Sequence, residues 1–159
     1  MYFVELGDVV EVAEANGNFK SLVDLLTELD YVDILKGLSS QTIFAPSDAA
    51  FAKLAEGTLK NLTTKQKRSI VSRHIVEGKT ILAADVESGP IETYYGLLPT
   101  RYLDLIKTDT GGVQISYKNN IINVVTPDVM ASNGVIHVID KLILPGKFPT
   151  FNSFLHFFH

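Results

Sequence analysis

Hydrophobic spacing divides the chain into a helical first half and a β-rich second half. Asp8 precedes Val9, Val12 and Ala13 and is followed three positions later by Glu11, the arrangement of a capping box, which predicts a short helix ending near Asn16-Gly17. From Phe19, Leu22, Val23, Leu26 and Leu29 recur at three- and four-residue steps, with Lys20, Asp24, Glu28 and Asp30 largely between them. Val32, Ile34 and Leu35 carry the apolar stripe on to Gly37, so one longer amphipathic helix is predicted with that glycine as its stop. Residues 40–45 read as a buried strand halted by Pro46. Ser47 or Asp48 then accepts from the free amides of a helix running through Phe51 and Leu54. Thr63 and Gln66 form a second capping box, opening a helix with Ile70, Val71, His74 and Ile75 on one side and Gly78 as its end.

Beyond Gly89-Pro90 the period shortens and β-branched residues dominate. Residues 113–117 and 121–125 flank Lys118-Asn119-Asn120, a predicted tight turn because Asn tolerates positive φ. Asn133-Gly134 suits a type I′ hairpin turn between residues 124–130 and 135–144. Residues 135–144 are apolar on both faces, which predicts a central strand covered on each side, and Pro145-Gly146 closes the domain. The order of elements predicts a single α+β domain over residues 1–147, followed by an aromatic tail over 148–159.

Composition narrows the chemistry. The 159 residues are 46% hydrophobic and 20% charged, enough for one core without metals or disulfides. The absence of cysteine excludes a disulfide scaffold, a thiolate metal site and a cysteine nucleophile, without fixing the compartment. Apolar runs are too short to cross a bilayer. The start, Met1-Tyr2-Phe3-Val4-Glu5, lacks the basic-then-apolar order of a signal peptide, as expected of a mature, intracellular or excised chain. A net charge of −4 and the lack of a nucleic-acid-binding motif argue against a nucleic-acid partner. Lys60, Lys65, Lys67, Arg68 and Arg73 nevertheless form a basic stretch. It reads either as a solvated helix face or as a contact for a sulfated polysaccharide or another acidic surface.

Two segments resemble the signatures of the fasciclin domain. Thr42-Ile-Phe-Ala-Pro-Ser-Asp-Ala-Ala-Phe51 is similar to the first, and Asp128-Val-Met-Ala-Ser-Asn-Gly-Val-Ile-His-Val-Ile-Asp140 to the second, with residues 70–76 matching the intervening Tyr-His region. The resemblance covers about residues 5–146. It implies a wedge of about seven strands packed with several helices, and an extracellular or cell-surface adhesion module meeting a receptor or matrix protein. The signatures themselves read as structural. Pro46 halts pairing, Ser47 and Asp48 serve helix amides, Phe44 and Phe51 fill the core, and Asn133-Gly134 sets a register, with Thr42, His137 and Asp140 in the same segments.

In animal matrix members a Glu-Pro-Asp-Ile-Met segment is linked to integrin binding. Here Thr126-Pro127-Asp128-Val129-Met130 makes Asp128 and Val129 the matching candidates. The competing reading is an Asp128 that accepts backbone hydrogen bonds at a bend and a Val129 that belongs to the core. The Tyr-His contact appears as Arg73-His74, without its tyrosine, and His74 falls on the apolar side of its helix as a core histidine would. Some members of the wider family bind small apolar molecules, carotenoids in certain algae, which is the alternative function.

Catalysis lacks a starting set. His137 and Asp140 lie three apart on a strand and so on opposite faces, His156 and His159 sit at the chain end, and no hydrolase, phosphate-loop, zinc or EF-hand pattern occurs. No cofactor or metal is expected. Asn61-Leu62-Thr63 is a glycosylation sequon. In the tail, Phe151, Phe154, Leu155 and Phe158 share one helical side, predicting docking on the domain itself, on a neighbouring domain or copy, or on a membrane surface.

Overall fold

The computed structural model of the chain describes residues 6–54, 57–93, 102–118 and 120–144. The aromatic tail, the boundary at residue 147 and Asn119 of the predicted turn lie outside the described residues.

The capping boxes form as the sequence predicts. The Asp8 carboxylate accepts the Glu11 amide at 2.9 Å and starts α1 (Val9–Asn16), which ends at Gly17 with φ 84°. The Thr63 hydroxyl accepts the Gln66 amide at 3.1 Å and starts α5 (Thr64–Arg73). Between them the long helix predicted from Phe19 to Gly37 is two helices, α2 (Lys20–Glu28) and α3 (Val32–Gly37). Asp30, at φ 61°, turns the chain between them. The break lets Leu29, Tyr31 and Leu35 all reach one core, which a straight rod could not do.

β1 (Gln41–Pro46) is buried along its whole length and runs into α4 (Asp48–Ala52). α5 stops at Arg73 rather than Gly78. Ile75–Glu77 is a strand, β2, paired antiparallel with Gln41–Ile43 of β1, and the His74 carbonyl accepts the Phe44 amide at 2.8 Å. Here a β-branched pair follows the sheet edge rather than the helical period.

The remaining strands are β3 (Gly89–Glu92), β4 (Tyr102–Lys107), β5 (Val113–Tyr117), β6 (Asn120–Ala131) and β7 (Gly134–Ile139). The seven lie in the order β2-β1-β7-β6-β5-β4-β3, with β1 and β7 the one parallel pair. β7 is central, as its two apolar faces require. β6 changes partner along its length: Asn120–Asn123 pair with β5, and Val124–Ala131 pair with β7 across two register shifts. Those bulges bend the strand, so that one continuous order of strands forms the two arms of a wedge.

Alternation along β1 and β7 then sorts the core. Ile43, Ala45 and Ile136 face the helices and join Val9, Phe19, Leu22, Leu26, Leu29 and Leu35. On the other side Phe44 and Ile139 point into the wedge, among Leu103, Leu105, Ile115 and Ile122. Each such fully buried side chain contributes about 1.5–3 kcal/mol relative to exposure. A smaller cluster under α4 and α5 holds Ala50, Leu62, Ile70, Leu142 and Leu144.

The last hairpin differs from the Asn-Gly prediction. Ala131 pairs with Gly134, so the two turn residues are Ser132-Asn133, and Gly134 is already in β7 without a positive φ. Its glycine is required by space instead: a Cβ there would lie 2.3 Å from the Gln41 carbonyl oxygen.

Candidate functional site

The signature side chains are spent on backbone. The Ser47 hydroxyl accepts the Ala50 amide at 3.3 Å and caps its own helix, α4. Asp48 instead serves α2: its carboxylate oxygens accept the Ser21 amide at 2.8 Å and the Lys20 amide at 3.4 Å. Phe19, at the N-cap of α2, supplies no side-chain bond, so a residue from a later element closes that end. Asn133 joins two helical ends, the start of α1 and the end of α3, through three bonds. Its Oδ1 accepts the Val9 amide at 3.0 Å, and its Nδ2 donates to the Leu35 and Leu38 carbonyls at 2.9 and 3.1 Å. The Asp140 carboxylate accepts the Asn123 amide at 2.9 Å and the Asn123 side-chain Nδ2 at 3.2 Å, at the point where β6 changes partner.

Asp128, the residue matched to the integrin-linked position, stands in the second bulge of β6 at φ 59°. Its amide donates to His137 Nδ1 at 3.1 Å, and its Oδ1 accepts the Ala83 amide at 2.8 Å, at the start of a 3-10 turn over Ala83–Asp85. With Nδ1 an acceptor, His137 carries its proton on Nε2 and donates to the Ile81 carbonyl at 2.6 Å, while its ring stacks on Phe44 at 5.9 Å. The Thr42 hydroxyl donates to the Lys79 carbonyl at 2.8 Å and accepts the Ile81 amide at 2.9 Å. Thr42, Asp128 and His137 thus hold residues 79–83 as a strap across the wedge. Lys107 Nζ adds a bond to the Ala83 carbonyl. The strap has no hydrophobic period, so nothing in the sequence marked it. The bonds account for the bend reading of Asp128, yet its side chain stays 40% exposed, and Oδ2 takes no donor among the described residues. Val129 is half-buried against the helical core.

His74 is not a surface contact. It is buried, its Nδ1 donates to the Ile70 carbonyl at 2.8 Å, and its Nε2 accepts the Ile143 amide at 2.9 Å. Burial first, and the neighbouring Arg73 charge second, push its pKa down to about 4, so it is a neutral core histidine. The basic stretch is also divided. Lys60, Lys65 and Arg68 are exposed, Lys67 pairs with Glu28 at 2.7 Å, and Arg73 is largely withdrawn from the surface at 7% exposure. Its place under the wedge follows from Tyr117, whose hydroxyl accepts from Arg73 Nε at 2.9 Å. Among the described residues no group of three or more His, Asp or Glu is arranged to hold a metal, and no helix is long and apolar enough to cross a membrane.

Known proteins resemble this chain in sequence or in fold. Protein sll1483 of Synechocystis sp. (strain ATCC 27184 / PCC 6803 / Kazusa) is 39% identical over 141 residues, spanning 86% of this chain and 73% of that protein. Protein sll1735 of the same organism is 36% identical over 142 residues, spanning 87% of this chain and 98% of that protein. Among solved structures, the FAS1 domain pair of the insect cell adhesion molecule fasciclin I superposes with a TM-score of 0.73 at 23% identity. The match covers 89% of this chain and 52% of that one, a likeness of fold. The fasciclin domain model itself matches residues 17–145, the stretch that holds both signatures, the strap they tie down and the wedge they close, and the chain belongs to the fasciclin domain family.

Proposed function

We propose that this domain is a non-enzymatic binding module that works at the cell surface or outside the cell, making contact with a receptor, a matrix component or another protein. The observation that carries the reading is how the signature polar groups are used. Ser47, Asp48, Asn133, His137 and Asp140 each bond the chain's own backbone, so the motif residues build the scaffold and leave recognition to its exterior. Membership of a family that contains the cell adhesion molecule fasciclin I supports the same class.

Within that reading the contact centres on Asp128 and Val129. The bulge presents the free Oδ2 of Asp128 at the surface, where a receptor-held cation would take it, and Val129 lies beside it. Exposed Val125 and Met130 flank the same bulge and give the patch apolar area. Lys60, Lys65 and Arg68 form a second, separate surface suited to a sulfated polysaccharide.

Attachment of cells or envelope fragments to the immobilised domain tests both levels. Folded protein should hold them in a divalent-cation-dependent way, and Asp128→Asn should weaken that attachment, because Asn keeps the Ala83 bond and tolerates the positive φ. Equal attachment by Asp128→Asn removes the Asp128 assignment. Equal attachment by heat-denatured protein removes the module reading.

A further inference from the structure

Arg73 is the only charged side chain buried among the described residues, and it has no carboxylate within ion-pair distance there. A guanidinium so far removed from water is costly unless an anion and acceptors compensate it. Tyr117 supplies part of that: its hydroxyl takes the Nε hydrogen at 2.9 Å, and its ring centroid lies 5.2 Å from the guanidinium carbon. The two terminal NH2 groups have no acceptor among the described residues. Among the described residues the one buried side-chain polar atom without a partner is Gln41 Oε1, so those NH2 nitrogens are the part of Arg73 that reaches the surface.

A second cation stands at the same ring. Lys118 Nζ lies 5.8 Å from the Tyr117 centroid, on a residue with φ 45°, a backbone conformation suited to Gly or Asn. The turn therefore holds a lysine where an uncharged residue would fit with less strain, next to a buried arginine short of acceptors.

We propose that the Arg73 NH2 groups and Lys118 form a surface site for an oxyanion, a sulfate, phosphate or carboxylate group, beside Tyr117. The guanidinium fork takes two oxygens of the group side by side, and Lys118 adds a screened attraction from the rim. The site does not depend on the adhesion reading, and it is distinct from the exposed Lys60, Lys65 and Arg68.

The test is titration of the purified domain with sodium sulfate, sodium phosphate and sodium acetate at ionic strength fixed with sodium chloride, following the Arg73 Nε–H and Lys118 amide resonances. Saturable shifts are expected. Arg73→Lys, which keeps the charge and loses the fork, should weaken binding about tenfold or more. Lys118→Asn, which suits the turn, should weaken it about threefold and flatten its salt dependence. Should Arg73→Lys fail to fold, Lys118→Asn still decides. A sulfated disaccharide that binds more tightly than sulfate identifies a ligand-borne group, and equal binding identifies the free oxyanion; the site stands in either case. Shifts that never saturate, or affinities unchanged in the variants, overturn it.

Discussion

Gly134 and Gln41 touch backbone to backbone: a methyl group on Gly134 would lie 2.3 Å from the Gln41 carbonyl oxygen and 2.8 Å from its Cγ. Gly134 opens β7 where that strand begins its parallel pairing with β1, at Thr42 and Val135. Gly134→Ala should therefore destabilise the fold by about 3 kcal/mol, since carbonyl oxygen and strand must both shift. A urea midpoint that moves by an amount worth less than about 1 kcal/mol would show that the sheet yields more easily than close packing implies.

Asn133→Asp replaces one atom and reverses two interactions. The Val9 amide keeps its acceptor, while the Leu35 and Leu38 carbonyls lose the Asn133 donor and face a carboxylate, Leu35 keeping only the Gln41 side-chain amide at 2.8 Å. A loss of about 2–4 kcal/mol is expected, seen as a fall in Tm of roughly 5–15 °C. An unchanged Tm would mean that these helix ends find other partners at no cost.

His74 makes stability depend on pH with a definite sign. Its pKa is about 4 in the folded protein, against 6.5 for the free side chain. Above pH 6.5 both states are neutral and the group contributes no slope. Between 6.5 and 4 the unfolded chain binds the proton and the native one does not, so stability falls as pH falls, by up to about 3 kcal/mol. Below 4 the native imidazole also protonates and this loss levels off. Urea midpoints across that window should show a shallower dependence in His74→Leu, whatever its stability at pH 7. Parallel curves for the two proteins would refute the buried neutral imidazole.

Asp48 and Ser47 are neighbours with separate duties, so their alanine variants should leave different marks. Asp48→Ala should cost about 1–2 kcal/mol and expose the Ser21 amide of α2 to hydrogen exchange, while Ser47→Ala should loosen the Ala50 amide of α4. If Asp48→Ala loosened α4 and left α2 protected, the cross-element cap would be wrong.

What the sequence disclosed was local. Asp8 with Glu11 and Thr63 with Gln66 are visible as caps because both partners lie within one turn. His74 was legible as a core residue from its position on the apolar side of its helix, and the fasciclin signatures disclosed the wedge. The errors share a cause, which is a partner far along the chain. The apolar stripe runs unbroken past Asp30, so only the core geometry reveals the turn there. Ile75 and Val76 fit the helical period equally well and were drawn to β1. Asn133-Gly134 has the composition of a type I′ turn, but Gly134 answers to Gln41 and Asn133 to the ends of α1 and α3. Arg73 reads as one more cation on a basic helix until Tyr117, on strand β5, claims it.

The parallel pair of β1 and β7 also governs how the molecule comes into being. Thr42 cannot meet Val135 until β7 has left the ribosome, and the helical core packs on that same pair through Ile43 and Ile136. Folding of the domain must therefore wait for β7, as expected of a topology dominated by distant contacts. Until then the all-buried β1 is an unpaired apolar edge, the stage at which a nascent chain is most exposed to aggregation and most in need of a chaperone.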